Sequence, residues 1–196
     1  MVRDKSAVNR LRIGILGGSF DPVHEGHLHI AKKAIDSLKL NKVLFIPANL
    51  SPFKLTEDLT PAPHRLEMVK LAIAGQALLE VSDMDIKRGG ISYTVETVRQ
   101  LKKAYPPETL FFLIMGGDTF AQLDSWKNAQ EIKDTCEIAV AVRPNYLFKT
   151  SPKISLITHE TLPYSSTEIR RDLGVGKTTA GLPLAVLSYI QKHNLY

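Results

Sequence analysis

The chain has 196 residues, of which 44% are hydrophobic and 23% charged, and its formal net charge is +5 at pH 7. No run approaches the roughly 20 apolar residues that a membrane-spanning helix requires, and the 25 basic residues are scattered rather than clustered, which argues against a membrane or a nucleic acid as partner. The charged N-terminus is unlike a secretory signal and the single cysteine, Cys136, excludes an intramolecular disulfide, so we expect a cytoplasmic protein.

Short apolar segments alternate with amphipathic ones along almost the whole chain. The predicted strands are 12–16, 42–46, 78–81, 110–115, 137–142 and 154–158, and the predicted helices are 24–38, 63–75, 92–104 and 128–133. Continuous apolar runs are typical of strands buried on both faces, whereas spacings of three and four are typical of helices with one buried stripe. The alternation predicts an α/β fold, a Rossmann-like, doubly wound parallel sheet in three α/β/α layers. We expect residues 11–196 to form one domain behind a tail of residues 1–10.

The longest irregular stretch runs from residue 47 to residue 63 and contains four prolines. It is long for a passive connection, which favours a substrate loop. Open parallel sheets bind ligands beyond the carboxyl ends of their strands. We therefore expect functional residues where each predicted strand ends.

The first predicted strand ends in the stretch GGSFDPVHEGH, residues 17–27. Gly17, Gly18 and Ser19 leave room for a ligand against the main chain, and the helix that follows offers unpaired N–H groups to an anion. His24 and His27 lie three residues apart, so both side chains can donate to the same phosphate chain. A zinc site is the alternative, but the stretch has neither a His-Glu-x-x-His pattern nor a cysteine pair, so we expect no metal ligand here.

This stretch resembles the G-x-F-D-P-x-H-x-G-H signature of the nucleotidyltransferase superfamily. Members of that superfamily join a phosphate or phosphonate nucleophile to the α-phosphate of a nucleoside triphosphate. The resemblance implies that His24 and His27 hold and neutralise the triphosphate in the transition state, and that Gly26 lets the base pack closely. The further ATP contacts that it implies are Gly17, Gly18, Ser19 and Phe20.

A second anion site is predicted in YSSTEIRRDL, residues 164–173. Ser165 and Glu168 have the spacing of a capping box, and by itself this spacing favours an ordinary helix start. Hydroxyl groups, free N–H groups and Arg170 at a helix N-terminus also make a phosphate cradle. The segment resembles the superfamily's I-S-S-T-x-I-R motif, with Tyr164 in place of Ile. This resemblance implies that the β- and γ-phosphates bind to Ser165, Ser166, Thr167 and Arg170.

Three further segments lie at the same predicted edge of the sheet: residues 51–54, 89–101 and 115–132. Together they resemble the bacterial nicotinate-nucleotide adenylyltransferases, and the resemblance extends from Arg12 to the end of the chain. It implies that Trp126 stacks on a pyridine ring and that the main chain at Ser92, Tyr93 and Thr94 binds a carboxylate. It also implies contacts of Gly116 and Asp118 with adenosine. The alternatives are that Trp126 fills the core and that Asp118 caps a helix.

One segment departs from this family, which usually has Pro-Pro-His-Lys where the chain has Ser51-Pro52-Phe53-Lys54. A phosphate contact through the missing histidine falls away, and Lys54 and Arg65 remain as candidates. The resemblance then implies a catalytic set of His24, His27, Lys54 and Arg170, with Mg²⁺ carried mainly by the ATP phosphates and no metal site in the protein.

The reaction implied is transfer of AMP from ATP to nicotinate mononucleotide, giving deamido-NAD and pyrophosphate in NAD biosynthesis. The alternatives are another member of the superfamily, acting on nicotinamide mononucleotide, phosphopantetheine or glycerol phosphate, and a nucleotide-binding module without turnover. Trp126, Tyr93 and Thr94 favour the nicotinate enzyme, while the complete set of histidines and arginine disfavours a pure binding module. A homo-oligomer is left open.

Overall fold

The computed structural model describes residues 10–55, 59–142, 154–160, 162–177 and 180–196. These residues form a six-stranded sheet with all paired strands parallel. The strands are β1 (Arg12–Gly18), β2 (Lys42–Pro47), β3 (Leu79–Val81), β4 (Leu110–Gly116), β5 (Cys136–Val142) and β6 (Ile154–Thr158). All six predicted strands are present. The first is longer than predicted, because Gly17 and Gly18 still pair with β2 instead of following the strand.

The helices are α1 (Glu25–Leu38), α2 (Ala62–Ile73), α3 (Met84–Arg88), α4 (Thr94–Ala104), α5 (Gly117–Ala121), α6 (Ala129–Thr135), α7 (Ser166–Gly174) and α8 (Leu184–Lys192), with a 3₁₀ turn at Leu123–Ser125. The four helices predicted from apolar periodicity correspond to α1, α2, α4 and α6. Periodicity does not predict α3, α5 or α8; α3 and α5 have five residues each, which is too short for an amphipathic repeat.

The sheet is buried on both faces, and its side chains alternate between two cores. Val43 and Phe45 of β2 belong to a core with α1, α2 and α8, while Leu44 and Ile46 belong to a core with α4 and α6. The predicted three-layer, doubly wound architecture is thus confirmed.

The strand order β3-β2-β1-β4-β5-β6 places β1 at the centre, and the chain winds outward from it in both directions. In such sheets a crevice opens where the winding reverses, between the carboxyl ends of β1 and β4. The predicted glycine turn and the predicted Gly116–Asp118 segment lie at these two ends. The fold therefore brings together segments that are about 100 residues apart in the sequence.

Two predictions about the ends and boundaries of the chain remain predictions. Residues 1–9 of the predicted tail lie outside the described residues, and Arg10 is exposed. The assignment of residues 11–196 to a single domain stands as an expectation. Within the described ranges, every helix is too short or too polar to cross a membrane.

Candidate active site

A cavity of about 520 Å³ opens at the carboxyl ends of β1 and β4. The residues predicted to be functional that line it are Gly17, Gly18, Ser19, His27, Lys54, Ser92, Thr94, Gly116, Asp118 and Trp126. Those predicted residues that do not line it are Phe20, His24, Gly26, Tyr93, Ser165, Ser166, Thr167 and Arg170. The cavity therefore joins the first-strand turn to the predicted acceptor residues, and the second phosphate segment lies beside it.

The N-terminus of α1 is capped by its own two histidines. The Gly26 N–H donates to Nδ1 of His24 at 3.1 Å, and the His24 N–H donates to Nδ1 of His27 at 3.2 Å. The two rings lie 3.9 Å apart between centroids. This reciprocal arrangement is a capping box in which imidazoles take the places of the usual Ser and Glu side chains.

Both imidazoles are neutral at pH 7. Burial lowers the pKa of His24 from 6.5 to about 4. Burial also lowers the pKa of His27 well below its ordinary value, and the neighbouring His24 lowers it further. A neutral imidazole whose Nδ1 accepts a hydrogen bond carries its proton on Nε2. The helix cap thus fixes one tautomer in both rings and leaves two Nε2–H donors side by side.

Gly26 makes this cap sterically feasible. A Cβ atom at this position would lie 2.9 Å from both Cε1 and Nδ1 of His24, which is closer than real Cβ contacts. The ring of His24 therefore folds back over a residue that must have no side chain. This close approach explains why a glycine separates the two histidines.

The turn before α1 is held by a buried aromatic ring. Phe20 has a φ of +51°, which is unusual for a bulky side chain, and only 2% of the residue is exposed. Its ring packs against His27 and Phe45, at centroid distances of 5.0 and 5.6 Å. Phe20 was predicted to contact ATP, and the structure places its ring in the core.

The start of α7 is joined to this same turn. The Ser166 hydroxyl donates to the Pro22 carbonyl at 3.0 Å, and Nη1 of Arg170 donates to the Asp21 carbonyl at 2.7 Å. The Ser165 hydroxyl donates to the Glu168 carboxylate and accepts from the Glu168 N–H. The hydroxyl protons of both serines are therefore already donated, contrary to the expectation that they face a phosphate. What this start offers an anion is its main-chain N–H groups, Thr167 and the remaining N–H groups of Arg170.

Tyr164 stands where the related motif has Ile, and residue 181 explains why it is tolerated. A Cβ at Gly181 would lie 2.4 Å from Cγ of Tyr164, so only a glycine leaves room for this ring. The Gly181 carbonyl in turn accepts from the N–H of Glu25, the first residue of α1, at 2.8 Å. The substitution thus fits into the contact between the two helix starts.

Arg65 was predicted as a candidate phosphate ligand, and the structure corrects this. Only 1% of the residue is exposed, and its guanidinium donates to the carbonyls of Ser19, Asn49 and Thr60 at 2.7 to 2.9 Å. Burial lowers its pKa, while the nearby Asp21 opposes that shift. Arg65 is a buried brace that ties the first-strand turn to the loop after β2.

The acceptor side of the cavity is built from the loop after β2 and the start of α4. Ser92 is buried, its N–H donates to the Leu50 carbonyl and its hydroxyl accepts from the Asn49 N–H. At the start of α4 the N–H groups of Thr94 and Val95 have no acceptor within the helix, whereas that of Glu96 donates to the Tyr93 carbonyl at 2.9 Å. Tyr93 lies outside the cavity, with Nζ of Lys127 over its ring. Ser92 therefore shapes the site, and the main chain at Thr94 offers donors to it.

Trp126 is only partly buried, so the alternative that it merely fills the core is incomplete. It packs against the core beneath α4 and α6 and also lines the cavity, where the ring of Phe53 lies 5.8 Å from its own. The alternative in which Asp118 caps a helix is wrong, because Gly116 is the cap of α5 and no side chain bonds there. Asp118 is exposed within the cavity wall.

Several cavity residues carried no signal in the sequence. Asp85 of α3 and Thr97 of α4 line the cavity, and the Thr97 hydroxyl donates to the Asp85 carboxylate at 2.6 Å. Arg88 donates to the same carboxylate at 2.7 Å. Their side chains meet only because the short α3 packs beside α4, so no spacing in the sequence could have revealed them. Within the described ranges, no group of three or more His, Cys, Asp or Glu side chains could hold a metal ion.

Comparison with known proteins gives consistent matches over nearly the whole chain. The family model described as cytidylyltransferase-like matches residues 15–172. A protein of Borreliella burgdorferi named probable nicotinate-nucleotide adenylyltransferase is 40% identical over 188 residues, which cover 95% of this chain and 97% of that protein. A Thermus thermophilus protein of the same name is 39% identical over 189 residues, covering 95% of this chain and all of that protein.

Solved structures match at the level of the fold. The nicotinic acid mononucleotide adenylyltransferase of Plasmodium falciparum, in its complex with NaAD, superposes with a TM-score of 0.78. The two sequences are 21% identical, and the match covers 95% of this chain and 98% of that one. The same enzyme in complex with APC gives the same TM-score.

Proposed function

Because the chain belongs to the nicotinate-nucleotide adenylyltransferases of the cytidylyltransferase-like family, we propose that it transfers AMP from ATP to nicotinate mononucleotide. The products are deamido-NAD and pyrophosphate. One observation carries the proposal beyond family membership. The cavity at the switch point of the sheet is lined on one side by His27, whose ring lies against that of His24, and on the other by a partly exposed tryptophan and the start of α4. A triphosphate and a flat, carboxylate-bearing ring need these two kinds of surface.

In the proposed reaction the 5′-phosphate of the mononucleotide attacks the α-phosphorus of ATP. A bond forms from the attacking oxygen to the α-phosphorus, and the bond from the α-phosphorus to the bridging oxygen breaks, so pyrophosphate leaves with that electron pair. The nucleophile is already an anion, so the protein needs no general base and no covalent intermediate. Its task is to align the two phosphates and stabilise their charge.

The phosphate-binding roles fall on both sides of the turn before α1. Nε2–H groups of His24 and His27 would donate to the triphosphate, and the N-terminus of α1 adds its positive end. Further positive charge would come from Arg170, from Lys54 in the loop after β2, and from Mg²⁺. We propose that Mg²⁺ enters as part of the MgATP substrate, coordinated by phosphate oxygens and water.

The other predicted contacts complete the proposal. Adenosine would lie along the glycine turn and the start of α5, near Asp118. The remaining members of the ATP set are Gly17, Gly18, Ser19, Gly26, Gly116, Ser165, Ser166 and Thr167. The pyridine ring would stack on Trp126, with its carboxylate at the main-chain donors of Thr94, where a helix start stabilises negative charge.

The test is pyrophosphate release by the purified protein with ATP, Mg²⁺ and one acceptor at a time. Nicotinate mononucleotide should be used at least tenfold more efficiently than nicotinamide mononucleotide, because only the acid presents a carboxylate to the N–H groups of α4. Phosphopantetheine and glycerol phosphate serve as the remaining acceptors. Release only with one of these would overturn the choice of acceptor, and release with none would leave a binding module.

Two properties stay predictions. We expect the protein to work in the cytoplasm, and localisation of a tagged full-length chain tests this. Self-association was left open by the sequence, and light scattering of the purified protein at several concentrations decides it.

A further inference from the structure

The carboxylate of Asp21 is buried directly before the capped start of α1. Only 1% of the residue is exposed. Its Oδ2 accepts from the Thr60 N–H at 3.2 Å, and its Oδ1 accepts from the hydroxyl of Tyr196. The Asp21 carbonyl accepts from Arg170. Three segments that are distant in sequence therefore meet at one residue, three positions before His24.

Tyr196 reaches this carboxylate from the segment that follows α8. Leu195 is tied back to that helix through its N–H, which donates to the Ile190 carbonyl at 3.1 Å. Tyr196 and Leu195 are partly buried against the core beneath α1 and α2. Burial and the contact with Asp21 raise the pKa of the Tyr196 phenol, so its proton stays on the oxygen across the physiological range. The hydroxyl is a permanent donor to a buried anion.

We propose that Tyr196 is a positioning residue for phosphoryl transfer, because its hydroxyl holds Asp21 and thereby fixes the turn that presents His24 and His27. Nothing in the reaction requires Tyr196 to touch a substrate. It acts through Asp21 on the main chain, so its importance for catalysis rests on the proposed function, whereas its effect on the turn does not.

The energetics favour an effect on geometry and not only on stability. Without the hydroxyl, the donor that the described residues still offer the Asp21 side chain is the Thr60 N–H, and a buried polar group that is short of partners moves toward solvent or other partners. Pro22 and Val23 alone separate it from His24, so such a movement is passed to the helix cap. Displacements of about 1 Å at a catalytic group cost up to about a hundredfold in rate.

The chain offers a matched control on α8 itself. The hydroxyl of Tyr189 bonds Nδ1 of His64 at 2.9 Å and so also joins α8 to a neighbouring element, α2. Neither residue lines the cavity. Tyr189→Phe also removes one tyrosine hydroxyl bond, to an imidazole instead of a carboxylate, and leaves the hydroxyl bond to Asp21 in place.

The kinetic experiment compares Tyr196→Phe, Tyr189→Phe and the unaltered protein with ATP, Mg²⁺ and nicotinate mononucleotide. We expect Tyr196→Phe to lower kcat at least tenfold, with the KM of the mononucleotide within twofold of the original. Tyr189→Phe should retain kcat, even though the loss of its hydroxyl bond also lowers Tm. Equal kcat in all three proteins would overturn the proposal and leave Tyr196 with a purely structural role.

Asp21→Asn and the double variant test whether the two residues act together. If Tyr196 acts through Asp21, the double variant loses no more kcat than the worse single variant. Multiplicative losses would mean that Tyr196 acts by another route.

A spectroscopic readout separates this inference from the proposed function. The imidazole ¹⁵N resonances of His24 and His27 report the Nδ1-accepting tautomer without any turnover. In Tyr196→Phe they should shift or broaden while those of His64 stay unchanged, and Tyr189→Phe should give the reverse pattern. Unchanged His24 and His27 resonances in Tyr196→Phe would refute the inference, even in a protein that releases no pyrophosphate.

Discussion

The two sides of the cavity are built differently. On the nucleotide side, Asp21, His24 and Arg65 are between 1% and 7% exposed and are held by hydrogen bonds from several elements. On the acceptor side, Leu50, Phe53 and Leu55 of the loop after β2 are each about half exposed. The two histidines proposed for phosphoryl transfer are fixed in advance, while Lys54 and the groups proposed for acceptor recognition lie on a surface that has room to adjust.

This difference matches the demands of the two tasks. Charge stabilisation at a phosphorus atom requires donors that do not have to reorganise during the reaction. Recognition of a flat ring tolerates adjustment, because stacking depends on area more than on exact direction. Substitutions on the nucleotide side should therefore change stability and kcat, whereas substitutions on the acceptor side should change the KM of the mononucleotide.

The largest effect is expected at the buried brace. Arg65→Met leaves three partly buried carbonyls without their donor and removes a buried guanidinium, so we expect the free energy of unfolding to fall by about 4 kcal/mol. Urea unfolding measures this loss. The control is Arg99→Met, since Arg99 is exposed and pairs with Glu131 at the surface, where an ion pair is screened by solvent and contributes little to stability. If the free energy of unfolding fell by a similar amount in both variants, the hydrogen bonds of Arg65 would not stabilise the nucleotide side more than a surface ion pair does.

Next come the two histidines, with variants that keep the helix cap. His24→Asn retains a side-chain acceptor at the cap, and His27→Gln retains one at the third helical position, but both lose the Nε2–H donor. We expect kcat to fall by about a hundredfold or more, as for loss of a preorganised donor, with Tm nearly unchanged. Steady-state pyrophosphate release and thermal unfolding are measured on the same samples. Retained kcat in both variants would remove the histidines from the reaction.

The depressed pKa of His24 predicts how stability changes with pH. The unfolded chain takes up a proton on this side chain near pH 6.5, whereas the folded protein does so only near pH 4. The free energy of unfolding should therefore be highest above pH 6.5 and fall as the pH drops toward 4, by about 3 kcal/mol from this group. Urea unfolding at pH 7.5, 5.5 and 4.5 measures the loss, and His24→Asn should show a shallower one. Parallel pH profiles would contradict the burial of a neutral imidazole.

The smallest effect is expected at Phe53 on the acceptor side. Phe53→Ala removes the ring that packs on Trp126, and aromatic pairs are worth about 0.5 to 1.5 kcal/mol beyond their area. We expect the KM of the mononucleotide to rise about threefold to tenfold, with kcat and the KM of ATP unchanged. Phe53→His, which restores the residue usual in the family, should stay close to the original. A change in the KM of ATP would place Phe53 on the nucleotide side instead.

What the sequence could predict follows from how local each signal is. The strands and the residues at their ends were predictable, because Gly17 and Asp118 adjoin continuous apolar runs, and such runs indicate buried strands without knowledge of the rest of the fold. Arg65 could not be assigned correctly, since an arginine in the first turn of a helix that follows a predicted substrate loop has the same sequence pattern whether it meets a phosphate or three carbonyls. Asp85 was missed because its partner Thr97 belongs to another helix. The partnership of Asp21 with Tyr196 depends on the packing of α8, which no spacing reveals.

The order of the strands also has a consequence for how the protein reaches its native state. Ile13 of β1 pairs with Phe111 of β4, so the floor of the cavity joins segments that are nearly one hundred residues apart. Closing so large a loop is entropically costly, and folds that depend on such distant pairings fold slowly. During synthesis the turn with both histidines leaves the ribosome long before β4 exists. The turn with both histidines therefore cannot reach its native surroundings until β4 has been made and has paired with β1, and the crevice is completed late in folding.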